Sequence, residues 1–111
     1  MTSPRDDDRI AHMVEACEEA AEFVSGRTRE GLEEDRLLQL ALVKLVEIVG
    51  EAAKSVSAEG QARFPDVPWS AAARTRDRLT HHYFEINLDV LWSTVTESLP
   101  ALLAALRSPA S

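Results

Sequence analysis

Most of the side chains that could carry out chemistry lie in one short stretch of this chain, RDRLTHHYFEI at positions 76–86. The stretch holds two arginines, two of the three histidines and the only tyrosine. Histidine titrates near neutral pH and can act as an acid or a base, and arginine offers a planar fork of N–H donors that fits a phosphate. Without a metal, this combination suits cleavage of an RNA phosphodiester. Histidine would move a proton at the 2′-hydroxyl or at the leaving oxygen, arginine would stabilise the phosphate, and tyrosine could stack on a base.

A single straight helix cannot bring Arg76, His81 and Tyr83 together. At about 100° of rotation per residue, Tyr83 would lie within roughly 20° of Arg76, whereas His81 would lie about 140° away. We therefore expect either that the helix ends near His81 and the chain turns, or that a second subunit completes the site. The aromatic pair Tyr83-Phe84 and a helix cap at Asn87 favour a turn, and a two-fold axis would place two copies of the motif opposite each other.

The charge distribution places a basic site on an acidic body. The net charge of −7 argues against a protein that coats nucleic acid through bulk electrostatics. The segment from Arg63 to Phe84, however, carries four basic and two acidic residues, a charge of +2 against −9 for the remainder of the chain. This pattern favours a specific anionic substrate.

Length and composition predict one cytoplasmic domain. With 111 residues, 45% of them hydrophobic, the chain can build one core, and we expect a single domain over residues 1–111. The single cysteine, Cys17, excludes an intrachain disulfide and fits a reducing compartment. The N-terminal stretch MTSPRDDDRI has no features of a secretory signal, and no uninterrupted apolar run approaches the roughly 18 residues of a membrane span.

Helical periodicity dominates the first half of the chain. Ser3 is expected to cap a first helix that begins at Pro4 and ends at Gly26. Three acidic residues in its first turn would face the positive end of the helix dipole: Asp6, Asp7 and Asp8. A polar turn at 27–35 leads to a second helix, predicted from about Glu34 to about Val56. That helix is apolar over more than half of its circumference, which predicts a central position in a bundle.

Two more helices are predicted in the second half. Residues 57–68 form a connection with about one helical turn, and a third helix runs from Pro68-Trp69 to residue 81 or 82. Asn87 caps a fourth helix over about 88–107, which Pro100 should kink or divide. Because no segment alternates with a period of two residues between hairpin turns, the predicted class is all-α, an up-and-down bundle of four to five helices.

The spacing within the stretch at 76–86 resembles the motif of the HEPN superfamily, in which arginine is followed by Asn, Asp or His and, a few residues on, by histidine. In its HepT branch the pattern is arginine, four residues, histidine, one residue, tyrosine. Arg76, His81 and Tyr83 match that spacing, and Asp77 occupies the polar position. Three further blocks resemble the family's blocks in the same order, so the resemblance covers nearly the whole chain: EIVGEAAKSVS at 47–57, FPDVPW at 64–69 and INLDVLWSTVTESLP at 86–100.

The resemblance implies a dimeric helical toxin with ribonuclease activity. Its active site would lie in a cleft between subunits, with Arg76 stabilising the phosphate, His81 acting as general acid or base and Tyr83 positioning the substrate. Its partner would be a minimal nucleotidyltransferase (MNT) antitoxin encoded beside it, which could neutralise the toxin by transferring AMP to Tyr83. No metal or other cofactor is expected.

Two positions before the motif arginine depart from the family's pattern. Arg74 and Thr75 stand where bulky aliphatic residues, glycine and methionine are common. We expect Arg74, together with Arg78, to support phosphate binding, because an exposed guanidinium is a strong hydrogen-bond donor to phosphate oxygens.

A third departure lies at Asp77, where the HepT branch commonly has asparagine. The carboxylate could pair with Arg76 or His81. His82 offers a second base directly beside His81, but the motif spacing selects His81.

Two other functions stay open at the level of sequence. The chain could be a non-catalytic helical module that binds a nucleotidyltransferase and helps to present its substrate, or it could be a purely structural bundle. The enzyme and the module both predict a neighbouring nucleotidyltransferase, so only loss of RNA cleavage in Arg76→Ala and His81→Ala variants would separate them.

The remaining candidates have simpler structural explanations. His12 is expected to have a structural or solvated role, Cys17 to be a small core residue, and the acidic run at 30–35 to be a solvated turn, although it could dock a basic partner. Two tryptophans are expected to anchor helix packing: Trp69 and Trp92. One group of residues has metal-binding side chains but matches no complete zinc site: His81, His82 and Glu85.

Overall fold

Two long helices, α1 (Pro4–Val24) and α3 (Arg36–Ser55), pack against each other and form the body of the protein. They lie antiparallel, because Asp6 at the start of α1 is hydrogen-bonded to Ser57, just beyond the end of α3. The computed structural model describes residues 4–82 and 85–110. The other elements, in chain order, are α2 (Arg29–Glu33), α4 (Ala58–Ala62), α5 (Trp69–Ala73), a 3₁₀ turn (Thr75–Arg78), β1 (Thr80–His82), β2 (Glu85–Ile86), α6 (Leu88–Ser93), a π-helical turn (Thr94–Ser98) and α7 (Leu99–Leu106).

The hydrophobic core lies between α1 and α3 and is completed by α5, α6 and α7. Met13, Leu42 and Leu91 are fully buried within it. Helix α3 contacts α1, α2, α5 and α6, which confirms the central position predicted from its apolar circumference. At Gly50 the backbone of α5 comes close, since a Cβ atom there would lie 3.5 Å from the carbonyl oxygen of Ala72.

Helix α1 ends as predicted. Pro4 is its first residue within the described part of the chain, and Gly26, with φ of +74°, follows it in the left-handed conformation of a helix C-cap. The predicted cap at Ser3 lies outside the described residues.

Asp6 has a different role from its neighbours in the first turn of α1. Its side chain is only 1% exposed and accepts a hydrogen bond from the Ser57 backbone N–H at 2.9 Å and another from the Ser57 hydroxyl. The same hydroxyl oxygen accepts from the N–H of Gly60, which caps α4. Gly60 has no room for a side chain, because a Cβ atom would lie 2.8 Å from a carboxylate oxygen of Asp6. Asp6 therefore joins the start of α1 to the start of α4, whereas only an interaction with the helix dipole is predicted for it from the sequence.

The predicted polar turn at 27–35 contains a helix of its own, α2. Thr28 caps it by accepting from the Gly31 N–H at 3.0 Å, and Leu32 is fully buried in the core. Asp35 then caps α3 by accepting from the Leu38 N–H at 3.0 Å. The interpretation of this acidic run as a solvated turn is therefore wrong for its centre, where one apolar residue fixes a short capped helix.

The third helix is much shorter than predicted, because α5 ends at Ala73 and not at residue 81 or 82. The Thr75 hydroxyl donates to the carbonyl oxygens of Ala71 and Ala72 at 3.0 and 2.9 Å, so the side chain bonds to the last turn of α5. The chain continues as a 3₁₀ turn and then as an antiparallel pair of short strands, β1 and β2. The absence of strands predicted from the sequence is therefore wrong in this segment.

The fourth helix begins where predicted and contains a local change of pitch. The Asn87 side chain accepts from the Val90 N–H at 3.1 Å and caps α6. A π-helical turn at Thr94–Ser98 separates α6 from α7, and Pro100 is the second residue of α7. Proline lacks an N–H and crowds the preceding turn, so a widened turn before it accommodates the ring. The predicted division of this helix is thus confirmed.

Helices dominate the fold, and the predicted all-α bundle is confirmed. The additional α-helices are short and lie within the predicted connections. Within residues 4–82 and 85–110, no helix has both the length and the hydropathy needed to cross a membrane.

Candidate active site

The predicted site residues lie on residues 74–87, the motif segment, which connects α5 to α6. Two buried residues anchor it: Thr75, at 5% exposure, and Leu79, at 0%. The carbonyl oxygen of Leu79 accepts a hydrogen bond from the Asn87 N–H at 2.6 Å, which closes the segment into a loop. The segment is therefore held at both ends while its charged side chains face outward.

Arg76 is exposed and is oriented by a residue of α3. Its Nε–H donates to Oε2 of Glu47 across 3.1 Å, and the two side chains are 52% and 34% exposed. Glu47 also lies near Lys44, with 4.0 Å between Oε1 and Nζ. The Glu47 carboxylate thus stands between two cations, one of them the motif arginine.

Glu47 is absent from the site residues predicted from the sequence. It stands first in the block EIVGEAAKSVS, on a helix whose periodicity explains only the apolar positions. A carboxylate at the exposed edge of a central helix is a weak signal by itself, and its partner is 29 residues further along the chain.

Three predicted supporting residues surround one open hollow on the surface. Arg74, Asp77 and Arg78 line it together with Ala71. All three charged side chains are exposed, so the hollow is accessible to an anion, and its two guanidinium groups outnumber its one carboxylate. The structure therefore places Arg74 and Arg78 at one hollow, and their role in phosphate binding stays a prediction.

The expected pairing of Asp77 is not found with Arg76. Within the described residues, the ion pair of Arg76 is made with Glu47. The alternative pairing of Asp77 with His81 stays a prediction, because the His81 side chain lies outside the part of the chain that the structure describes.

The strands β1 and β2 turn the chain back at the predicted histidines. Thr80 pairs with Ile86 and His82 with Glu85, so the register shifts between Thr80 and His82, at the level of His81. Irregularities of this kind are common beside active sites. The chain turn expected from the geometry of the motif is confirmed, although the α-helix ends eight residues earlier, at Ala73.

The side chains of His81 and His82, and the whole of Tyr83 and Phe84, lie outside the described residues. Arg76 is the one member of the predicted triple whose side chain is described. The convergence of Arg76, His81 and Tyr83 on one site therefore stays a prediction.

The exit of the motif segment is fixed by a contact between α2 and α6. Arg29 Nε donates to Oδ1 of Asp89 in the first turn of α6 across 2.8 Å. This hydrogen bond to the carboxylate raises the pKa of Arg29 above its ordinary value. Arg29 also pairs with Glu33, one turn further along α2, at 3.3 Å. The bond to Asp89 joins the start of α6 to α2, where the chain leaves the hairpin.

Four of the other candidates behave as predicted: His12, Cys17, Trp69 and Trp92. Cys17 is 2% exposed, and burial raises the pKa of its thiol to about 12, which confirms a core role. His12 is exposed on α1. The Trp69 indole N–H donates to the carbonyl oxygens of Gln61 and Phe64 and ties α5 to the preceding connection, and Trp92 packs against the core.

Comparison with known proteins decides the family. A family model described as ribonuclease HepT-like matches residues 13–108. The chain belongs to the HepT-like ribonuclease family. The match includes the whole motif segment and α3, so both Arg76 and Glu47 lie within the HepT-like region.

Individual relatives agree with this HepT-like assignment. The chain is 40% identical over 93 residues to "Probable ribonuclease HepT" of Thermococcus cleftensis, covering 80% of this chain and 84% of that protein. It is 36% identical over 93 residues to a "Putative RNase" of Caldanaerobacter subterraneus subsp. tengcongensis, covering 84% of this chain and 83% of that protein. No solved structure shows a significant match to the chain.

Proposed function

We propose that the chain is a metal-independent endoribonuclease and the toxin of a toxin–antitoxin pair. The observation that carries the proposal is an exposed Arg76, within a HepT-like chain, at the head of the spacing Arg76–His81–Tyr83. The names of the relatives, which designate them ribonucleases, support the same activity.

In the proposed reaction the RNA supplies its own nucleophile. The 2′-oxygen attacks the adjacent phosphorus and the bond to the 5′-oxygen breaks, leaving a 2′,3′-cyclic phosphate and a 5′-hydroxyl. His81 removes the proton of the 2′-hydroxyl or protonates the leaving 5′-oxygen. Arg76 donates to the non-bridging oxygens, on which negative charge accumulates in the transition state. Tyr83 holds a neighbouring base or phosphate, and Arg74 and Arg78 attract the strand.

The proposed enzyme works as a two-fold dimer. One histidine can perform only one of the two proton transfers in a single step, so a second copy of the motif opposite the first would supply the other. An isologous interface places the two copies in this way by symmetry. The RNA would then lie in the cleft between two motif segments.

The proposed antitoxin is an MNT-type nucleotidyltransferase. It would transfer AMP from ATP, with the Tyr83 hydroxyl attacking the α-phosphorus and pyrophosphate leaving. The added phosphate would place negative charge and bulk beside Arg76 and exclude an RNA phosphate. Activity would therefore be switched off at the site itself.

The activity is tested by incubating the purified chain with total RNA in the presence of EDTA. We expect cleavage products with 2′,3′-cyclic phosphate ends from the wild type and a strongly reduced yield of them from His81→Ala or Arg76→Ala. His12→Ala and Arg5→Ala are matched controls, because both replace exposed side chains outside the motif segment, and they should cleave as the wild type does. If the wild type is folded and cleaves no RNA, the proposed ribonuclease activity is wrong and the non-catalytic binding module is favoured.

The partner is tested by co-expression with the nucleotidyltransferase encoded beside the gene. Intact mass should increase by whole AMP units in the wild type and stay unchanged in Tyr83→Phe. If the partner forms a stable complex and inhibits cleavage without any increase in mass, AMPylation is excluded and the inhibition is steric.

A further inference from the structure

Among the residues that the structure describes, the Arg76 side chain makes its polar contact through one atom, Nε. The Glu47 carboxylate accepts from Nε–H, and within the described residues no ion pair is made by the two terminal nitrogens. A guanidinium presents a phosphate-binding edge formed by those terminal nitrogens. Glu47 thus occupies the inner end of the guanidinium and leaves the outer edge accessible.

The pair contributes little to the stability of the fold. Both side chains are substantially exposed, at 52% and 34%, and exposed ion pairs are weak because water competes for both charges. Glu47 also belongs to a rigid element, since it lies in the middle of α3, whereas Arg76 lies in a four-residue 3₁₀ turn. The contact therefore restrains the arginine and does not hold the helices together.

We propose that Glu47 is a positioning residue that orients Arg76 for the transition-state phosphate, an inference that rests on the proposed ribonuclease function. Arginine has many rotamers, and ordering them during the reaction would cost free energy that a preformed contact removes. The carboxylate has a second, opposing effect, because its negative charge repels the RNA phosphate. Glu47 thus favours the chemical step at the expense of substrate affinity.

These two effects predict a split between kcat and KM. In Glu47→Ala, kcat should fall about tenfold because the guanidinium is no longer oriented, a change within the range known for misplaced groups. KM should stay the same or decrease, because a negative charge beside the phosphate is removed. Glu47→Gln should retain most of kcat, since its amide oxygen can still accept from Nε–H, and it should share the lower KM.

Glu51→Ala is the matched control. Glu51 lies one turn further along α3, is exposed, and pairs with Lys54 at 3.9 Å. Its replacement removes the same charge from the same helix without touching the motif segment. Initial rates on a fluorescent single-stranded RNA of defined sequence give kcat and KM for all four proteins, and thermal unfolding should be the same for all four.

A second measurement does not depend on catalysis. The ¹⁵N Nε–H resonance of Arg76, assigned by its loss in Arg76→Lys, should shift and exchange faster with water in Glu47→Ala than in the wild type. It should be unchanged in Glu51→Ala.

The outcomes separate the two proposals. If the wild type cleaves and Arg76→Ala does not, but Glu47→Ala keeps the kcat of Glu51→Ala, the positioning role is excluded and the ribonuclease function stands. If the wild type does not cleave at all, the ribonuclease function fails and the inference with it, although the resonance still reports whether the contact exists in solution.

Discussion

The helical body formed by α1, α3 and α7 differs from the motif segment in how each is stabilised. The body consists of regular helices whose facing residues are buried. The described residues of the motif segment, 74–82 and 85–87, form no α-helix, and only Thr75 and Leu79 of its described side chains are buried. Its arginines face water and contribute little to folding. Substitutions should therefore separate into those that change stability and those that change activity.

The largest effect on stability within the motif segment should come from Leu79→Ala. Leu79 is fully buried, so its truncation should reduce the free energy of unfolding by about 2–5 kcal/mol, measured by urea denaturation. Leu37→Ala is the control, because that leucine is 81% exposed and should change the free energy by less than about 0.5 kcal/mol. Equal losses in the two variants would show that the segment is not anchored in the core.

Arg76→Ala should produce the opposite result. Removal of a donor to the transition-state phosphate should lower kcat/KM about 100- to 1000-fold, while the melting temperature stays near that of the wild type. The measurement is RNA cleavage together with thermal unfolding of the same sample. A parallel decrease in melting temperature would contradict the separation of function from stability.

Asp6→Ala tests the contact between α1 and α4 at the end of the body. Loss of the carboxylate leaves the Ser57 N–H without its acceptor, and stability should decrease by about 1–3 kcal/mol. Asp8→Ala, exposed in the same turn, is the control for the helix dipole. Similar melting temperatures for the two variants would indicate that the dipole interaction is the whole effect. RNA cleavage should be retained in both.

The smallest effect should be the contribution of Asp35 to the pH dependence of stability. The hydrogen bond from the Leu38 N–H, followed by that from Arg27, lowers the pKa of Asp35 below its ordinary value. A pKa that is lower in the folded state adds stability above the unfolded-state pKa, and this stability is lost as the pH falls through the folded-state pKa. Asp35→Asn keeps an acceptor without the charge, so its melting temperature should be lower than that of the wild type at neutral pH and should converge with it in acid. A constant difference at all pH values would exclude the charge as the cause.

The same contrast explains what could be predicted from the sequence. Helix α3 is predicted from about Glu34 to about Val56 and is observed over Arg36–Ser55, because a long apolar period and good caps determine it locally. The Asn87 cap is predicted for the same reason. Helix α2 is too short for periodicity to reveal it.

The motif segment and its contacts depend on tertiary structure and could not be predicted. The last turn of α5 accepts the bonds of a single threonine hydroxyl, and the strand pair has only three and two residues. The two polar contacts that matter most join distant residues: Asp6 with Ser57, 51 residues apart, and Glu47 with Arg76, 29 residues apart. The motif spacing identifies Arg76, but it does not identify what orients it.

The π-helical turn at Thr94–Ser98 affects which side chains of α6 and α7 face the core. Leu91, Val95 and Leu99 are all buried and follow one another at four-residue steps. On a continuous α-helix each such step would rotate the side chain by about 40° beyond a full revolution, so the three side chains would spread over about 80° of the circumference. A wider turn uses more residues per revolution and removes much of that drift. The chain that leaves the motif segment at Asn87 can therefore keep one face on the core as far as Leu106.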